Sequence, residues 1–449
     1  MKLIFKFLYF KTTDIVGQTR NPILSNIIWL FLDKIYGAII TLYIYSRIGI
    51  YFGSELFGVW NYITSFSTII LAIGALGLNF IVVKRVKRNP ILQKYIISNA
   101  FYLRLFFGFI TAVFFLILYL IIGVNCSEEY LMAVLFIFTS QVVMSANVMV
   151  FLNEAKLHNK WNVITKNISI TFAFVLKLIA IRYEMNISVF AAINLIELVL
   201  YFILIFKIPR NRFSQLSTSY INKKIIISLL KDGLPLLLAS VTVTIYLKID
   251  QLIIAYLLGN EKVGIYAASS RLVEMLYVVP VIISNVFFPK IIQYYKQKHL
   301  KKASKILKIL FAITLIATVF ITLTINFSSK MIITFLFDEQ YIESHEVLKL
   351  YAWSIIFMGF LVSSSKFLIA IDRNHIILIR GLIGLISNIL LNFILIPVYG
   401  LIGAAWATLI SYFLASYFSN IFFKELRPLM KDQITAVFSV KKIYLTTNK

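Results

Sequence analysis

The 449-residue chain is 60% hydrophobic and 14% charged, with a mean hydropathy of +0.88 and a formal net charge of +25. That balance excludes a water-soluble domain, whose surface would need far more polar residues. The positive charge does not indicate nucleic acid, because Lys and Arg gather in short segments between apolar runs, the pattern that orients a membrane protein.

In chain order, the first twenty residues set Lys2, Lys6 and Lys11 among Phe and Leu. No small-residue cleavage site follows a sustained apolar core, so an amphipathic lead-in lying on the membrane is expected rather than a removed signal peptide. Apolar runs long enough to cross a hydrocarbon core of about 30 Å follow near 26–50, 57–83, 98–124, 130–152, 162–182, 187–207, 234–258, 264–289, 306–326, 347–371, 376–396 and 401–423. The fold class predicted is an all-α integral membrane protein of about twelve transmembrane helices. Met331 to Phe337 is too short to cross alone and reads as an interfacial or re-entrant turn. The single cysteine, Cys126, excludes an intramolecular disulfide and reads as a small apolar residue near a helix end.

The connections alternate in charge. Lys84, Arg85, Lys87, Arg88 and Lys94 follow helix 2, and Lys156 and Lys160 follow helix 4. Lys207, Arg210, Arg212, Lys223, Lys224 and Lys231 follow helix 6, and Lys290, Lys296, Lys298, Lys301, Lys302 and Lys305 follow helix 8. The opposite connections are short and carry Glu55, Glu128, Glu129, Glu261 and the acidic run Asp338, Glu339 and Glu343. Positive-inside orientation places the basic segments and both termini in the cytoplasm. The longest polar interruption, 208–232, separates six helices from six. The domains expected are a lobe at 1–207, a cytoplasmic amphipathic linker at 208–232, and a lobe at 233–449 ending in a short cytoplasmic tail. Gly53 to Trp60 (GSELFGVW) and Gly259 to Tyr266 (GNEKVGIY) share the pattern G-x-E-x-apolar-G-apolar-aromatic, each where the first helix of a lobe turns into the second. Duplicated bundles around a midplane site are a common plan of secondary transporters.

Asn26 to Lys34 (NIIWLFLDK), Phe52 to Trp60, Leu234 to Pro280, Phe335 to Leu348 and Asn388 to Thr408 jointly carry a resemblance over nearly the whole chain. The chain resembles the polysaccharide (O-antigen type, Wzx-like) flippases of the multidrug/oligosaccharidyl-lipid/polysaccharide exporter superfamily. The resemblance implies two six-helix lobes around a central cavity that move an undecaprenyl-pyrophosphate-linked oligosaccharide to the outer leaflet of a bacterial inner membrane. The partners it implies are the lipid-linked oligosaccharide, membrane lipids and other surface-polysaccharide assembly proteins, without nucleic acid.

Charges inside the helices bear on that implication, since each costs on the order of 3 kcal/mol on an insertion scale. They are Lys34, Arg47, Arg104, Lys177, Lys248, Arg271 and Lys366 against Asp33, Glu197, Asp250 and Glu274. An excess of buried cations suits an anionic pyrophosphate, although residues near helix ends also snorkel. Lys34, Arg47, Lys248 and Arg271, on the first two helices of either lobe, are the headgroup-binding candidates. Asp33, Glu197, Asp250 and Glu274 are candidates for ion coupling or structural pairing. At 1.5 Å per residue, Asp250 and Arg271 lie about 12 and 10 Å below the outer ends of their helices, and an ion pair between them is expected. Lys248 and Glu274 match at roughly 15 Å, but Lys248 and Asp250 are about 200° apart on one helix and cannot both face helix 8. Pro280 predicts a kink by crowding the carbonyl of Leu276.

Nothing has nucleotide-binding, zinc or catalytic-triad spacing, so no catalytic residue, metal or cofactor is expected and the chain does not read as an enzyme. An ion-coupled multidrug antiporter of the same superfamily is the main alternative. A glycan polymerase or ligase is disfavoured because no outer connection is long enough to hold acceptor chemistry.

Overall fold

The computed structural model describes residues 22–122, 128–207, 216–430 and 432–433, and among them every regular element is helical. Hydrocarbon offers backbone amides no partner, so each crossing satisfies its own as a helix. The helices are α1 Pro22–Gly74, α2 Leu78–Arg88, α3 Gln93–Ile122, α4 Glu128–Val143, α5 Val148–Ala155, α6 Asn159–Arg182 and α7 Ile187–Lys207 in the first lobe. The second lobe holds α8 Lys223–Leu258, α9 Asn260–Leu276, α10 Val278–Lys296, α11 Leu300–Phe337, α12 Ser344–Ala352, α13 Ser354–Ala370 and α14 Asn374–Ser416. The lead-in, Cys126, Arg210 and Arg212 lie outside the described residues.

Among the described residues, ten helical segments are long and apolar enough to cross a membrane. Two of them each hold two crossings, because α1 turns back at Gly53 (φ 69°, ψ 172°) and α14 at Gly400 (φ 58°, ψ −137°), which brings the crossings to twelve. The repeat noticed in the sequence is a structural repeat, since Gly259 turns between α8 and α9 with φ 86° and ψ 174°, the conformation of Gly53. A side chain at either position would be strained in that backbone region.

The apolar stretch Met331 to Phe337 is not a separate interfacial turn, because α11 runs unbroken from Leu300 to Phe337. Thr318, Thr322, Ile325, Ser329, Ile333 and Phe337 are buried in one stripe at helical spacing, so packing carries the helix through the polar step at Ser328 to Lys330. Nor does the seventh crossing start at 234. The Asn222 side chain accepts the Lys224 amide at 2.9 Å and caps a helix that begins at Lys223. The eighth crossing breaks at Tyr277, one turn ahead of Pro280.

Three buried clusters organise the core. One, rich in Phe57, Ile63, Phe190, Tyr266, Phe337 and Tyr341, spans both lobes toward the face that carries Glu55, Glu261 and Glu339, here called the acid-rich face. The other two lie toward the opposite, basic face. One joins Leu78, Val82, Ile97, Met149 and Phe202 with Leu229 of α8, and the other joins Phe287, Phe311, Phe360 and Ile376. The lobes therefore share a large core at one end, whereas at the other only α8 joins the core of the first lobe and the rest of the second lobe keeps its own.

Candidate functional site: a cavity between the lobes

Two closures bound the space between the lobes. At the acid-rich face Gly58 of α1 and Gly264 of α9, matching positions of the repeat, lie backbone to backbone. A methyl group at Gly58 would overlap the carbonyl of Asn260, and one at Gly264 the carbonyl of Ser54. Small residues permit this approach in a membrane bundle. The same closure includes Tyr341 Oη donating to the Gly49 carbonyl at 2.7 Å, Gln340 to the Ile50 carbonyl at 3.2 Å, and Ser46 to the Leu336 carbonyl. At the basic face Gly77 packs on the backbone of Gly233 to Leu237 in α8. There Arg85 Nη2 reaches Asp232 at 2.5 Å and Ser228 Oγ at 2.6 Å.

Residues of α1, α7, α8 and α9 line a cavity of about 220 Å³ between the lobes. The first lobe contributes Tyr45, Trp60, Asn61, Thr64, Ser65 and Thr68, with Asn194 from α7. The second contributes Lys248, Gln251, Arg271 and Glu274. Ser65 donates to Gln251 Oε1 across the lobes at 2.5 Å, and Tyr45 Oη donates to Asn61 Oδ1 at 2.6 Å.

The structure brings together three of the eight residues singled out from the sequence. Lys248 Nζ lies 2.9 and 3.1 Å from the two oxygens of Glu274, so that pair is internally neutralised. Arg271 stacks over the Tyr45 ring at 5.4 Å, its Nε has no hydrogen-bond partner, and among the described residues it forms no ion pair. It is thus the cation of this cavity with charge to offer an anion.

The expected Asp250–Arg271 ion pair is not formed. Turning Lys248 toward Glu274 sends Asp250 into the second lobe, where it is 3% exposed. Its Oδ1 accepts from Asn392 at 2.7 Å, and its Oδ2 accepts from Thr408 at 2.6 Å and Tyr266 at 2.8 Å. One carboxylate therefore ties α8, α9 and both crossings of α14. Equal depth placed Asp250 correctly along the helix but could not supply its rotation.

The remaining candidates lie elsewhere. Glu197 pairs with Lys177 at 3.5 Å beside a second pocket of the first lobe, which shares Asn194 with the central cavity. Asp33 is buried and holds Lys166 at 2.9 and 3.0 Å. Lys34 and Arg47 are exposed on α1, with Arg47 over the Tyr43 ring at 5.1 Å, and neither lines the cavity. Arg104 does not snorkel. It is 5% exposed, beneath Phe151, and donates to the Met144 carbonyl at 3.3 Å.

Arg380 was absent from the sequence candidates although it is wholly buried. It donates to the Ala415 carbonyl at 2.8 Å, the Ser416 carbonyl at 2.9 Å and Ser364 Oγ at 2.8 Å. The guanidinium caps the last carbonyls of α14, a structural task. An arginine five residues into an apolar run was visible in the sequence, whereas its acceptors, 16 to 39 residues away, were not.

Two six-crossing lobes around a polar cavity are a common plan of secondary transporters. Residues 23–295 match the family described as polysaccharide biosynthesis protein, and the chain belongs to it. Residues 235–394 also match the family described as MatE.

Among curated proteins, the chain is 23% identical over 193 residues to the capsular polysaccharide biosynthesis protein CapF of Staphylococcus aureus, covering 43% of this chain and 49% of that protein. It is 27% identical over 202 residues to the uncharacterized membrane protein MJ1375 of Methanocaldococcus jannaschii, covering 44% and 47%. The chain thus aligns with about half the length of these relatives. Among solved structures, the lipid II flippase MurJ in an inward closed conformation superposes with a TM-score of 0.68 at 20% identity, covering 94% of this chain and 93% of that one. An inward-facing MATE multidrug-resistance transporter of the MOP superfamily superposes with a TM-score of 0.72 at 15% identity, covering 91% and 99%. At these identities the structures report the shared fold.

Proposed function

We propose that the protein is a flippase that carries a polyprenyl-pyrophosphate-linked oligosaccharide across a bacterial cytoplasmic membrane by alternating access, with the basic face and both termini in the cytoplasm. The observation that carries this reading is Arg271, a cation without an anionic partner inside a polar cavity between the lobes. A diphosphate leaving water needs fixed cations and donors to replace its hydration. Arg271 offers a planar fork of donors, and Lys248 becomes available when Glu274 releases it. Tyr45, Asn61, Thr64 and Ser65 supply neutral polar groups on the facing lobe. At about 30 Å³ per water, the cavity of about 220 Å³ matches about seven waters, so in this closed state it suits a headgroup, not a whole glycan. The glycan enters when one closure opens. Lys34 and Arg47, on the exposed side of α1, would meet the headgroup outside the closed cavity.

Asp250, held by three neutral donors, is the candidate for coupling transport to a proton or a monovalent cation, since a buried carboxylate answers directly to its own charge state. The match to the MatE family favours one second reading, an ion-coupled antiporter of small cations.

Proteoliposomes separate the two readings. Fluorescent undecaprenyl-pyrophosphoryl oligosaccharide should cross membranes holding the full chain and remain unmoved with Arg271→Ala. Drug efflux without lipid movement would replace the flippase by the antiporter.

A further inference from the structure

We propose that the pocket beside the central cavity, walled by α1, α6 and α7, seats one sugar ring of the transported lipid, with Lys177 and Glu197 as its polar contacts and Phe174 as its apolar wall. The proposal rests on the flippase reading. The pocket has a volume of about 220 Å³, enough for a single ring with its hydroxyls and too little for an oligosaccharide.

Lys177 and Glu197 have side chains 12% and 30% exposed, and their contact at 3.5 Å is the one hydrogen bond found for either among the described residues. An ammonium has three donors and a carboxylate about four acceptor positions. Two donors and most of the acceptor positions therefore face the pocket unused, in a setting where a single ion-pair contact does not repay the desolvation of both charges. The group that completes this set must donate and accept at neighbouring atoms. A phosphate would satisfy Lys177 but repel Glu197, and an organic cation would do the reverse. Neighbouring hydroxyls of a sugar each donate and accept, so one can take Lys177 while the next gives its proton to Glu197.

The rest of the lining agrees. Phe174, Ile40 and Ile44 present apolar surface suited to the C–H face of a ring. Asn194 lines both this pocket and the central cavity, so a ring seated here remains continuous with a pyrophosphate held by Arg271.

The test compares two probes on the purified full chain in nanodiscs: undecaprenyl pyrophosphate, and the same lipid carrying one N-acetylglucosamine. The wild type should prefer the sugar-bearing lipid by about tenfold, the effect of roughly 1.4 kcal/mol. Lys177→Met and Glu197→Gln should each remove that preference while leaving affinity for the bare lipid unchanged. Arg271→Ala should weaken both probes. Should a charge variant fail to fold, Phe174→Leu keeps the ion pair and should still lose the preference. Equal binding of the two lipids by the wild type, or equal weakening of both by the pocket variants, overturns the sugar site and leaves the flippase reading standing. Binding of neither lipid by the wild type overturns both.

Discussion

On the acid-rich face the lobes meet glycine to glycine over a large apolar cluster common to both, whereas on the basic face Gly77 and Gly233 meet beside an ion pair, over a smaller cluster that takes in only α8 of the second lobe. The first closure is governed by size, because nothing larger than hydrogen fits between Gly58 and Gly264. The second is governed partly by charge, and Asp232 stands half in solvent at 49% exposure. Contacts of the first kind are lost together when the backbones part, while an exposed ion pair contributes little and is screened by salt. The basic-face closure therefore includes a salt-sensitive contact beside its glycine packing.

The largest effect is expected from breaking the acid-face closure. Gly264→Val places its side chain against the Ser54 backbone, which no rotamer change relieves, at a cost of about 3 kcal/mol by the scale of overpacking. That penalty falls on the closed state alone and shifts the balance toward opening on the acid-rich face by on the order of a hundredfold. Thiol labelling of Thr64→Cys, in a chain whose Cys126 is replaced by Ser, reports it as faster labelling from the acid-rich side. Unchanged labelling there would contradict the size argument.

Asp250 lies off both closures, bound to Asn392, Thr408 and Tyr266. Asp250→Ala strands the hydroxyls of Thr408 and Tyr266, while Asn392 keeps its bonds to Asn388, and each stranded donor costs about 1–3 kcal/mol. Thermal stability should fall. The swapped double variant Asp250→Arg with Arg271→Asp should not restore stability, since the two residues are not partners in the wild type. Recovery by the swap would reinstate the ion pair.

A smaller effect is expected at the basic face. Arg85→Ala should weaken that closure by about 0.2–1 kcal/mol, the range of exposed ion pairs. Labelling of Thr64→Cys from the basic side should then rise a few-fold, and raising the salt concentration should give the wild type part of the same increase. An effect as large as that of Gly264→Val would show that charge, not size, dominates both ends.

The smallest perturbation is topological. Reporters fused after Asn89 and Lys298 should read cytoplasmic and one after Glu261 should read outside, with transport unaffected by the loop insertions. An outside signal at Lys298 would reverse which closure faces the cytoplasm.

By itself the sequence determined the crossings, the division into six and six, and the repeat whose glycines form the acid-face closure. Each of these follows from local chemistry: apolar length against bilayer thickness, charge at helix ends, and glycine at turns and close approaches. It also picked out Lys248, Arg271 and Glu274 as buried charges, because any charge within an apolar run stands out. Only the tertiary structure decided their partners. The rotation of α8 gave Glu274 to Lys248 and sent Asp250 to Asn392 and Thr408, more than 140 residues away in the chain. Packing against the rest of the lobe carried α11 through Lys330, and the end of α14 supplied the acceptors for Arg380. Helical spacing sets the angle between two residues of one helix, but the neighbour each one meets depends on helices distant in sequence, so partners are a property of the packed bundle.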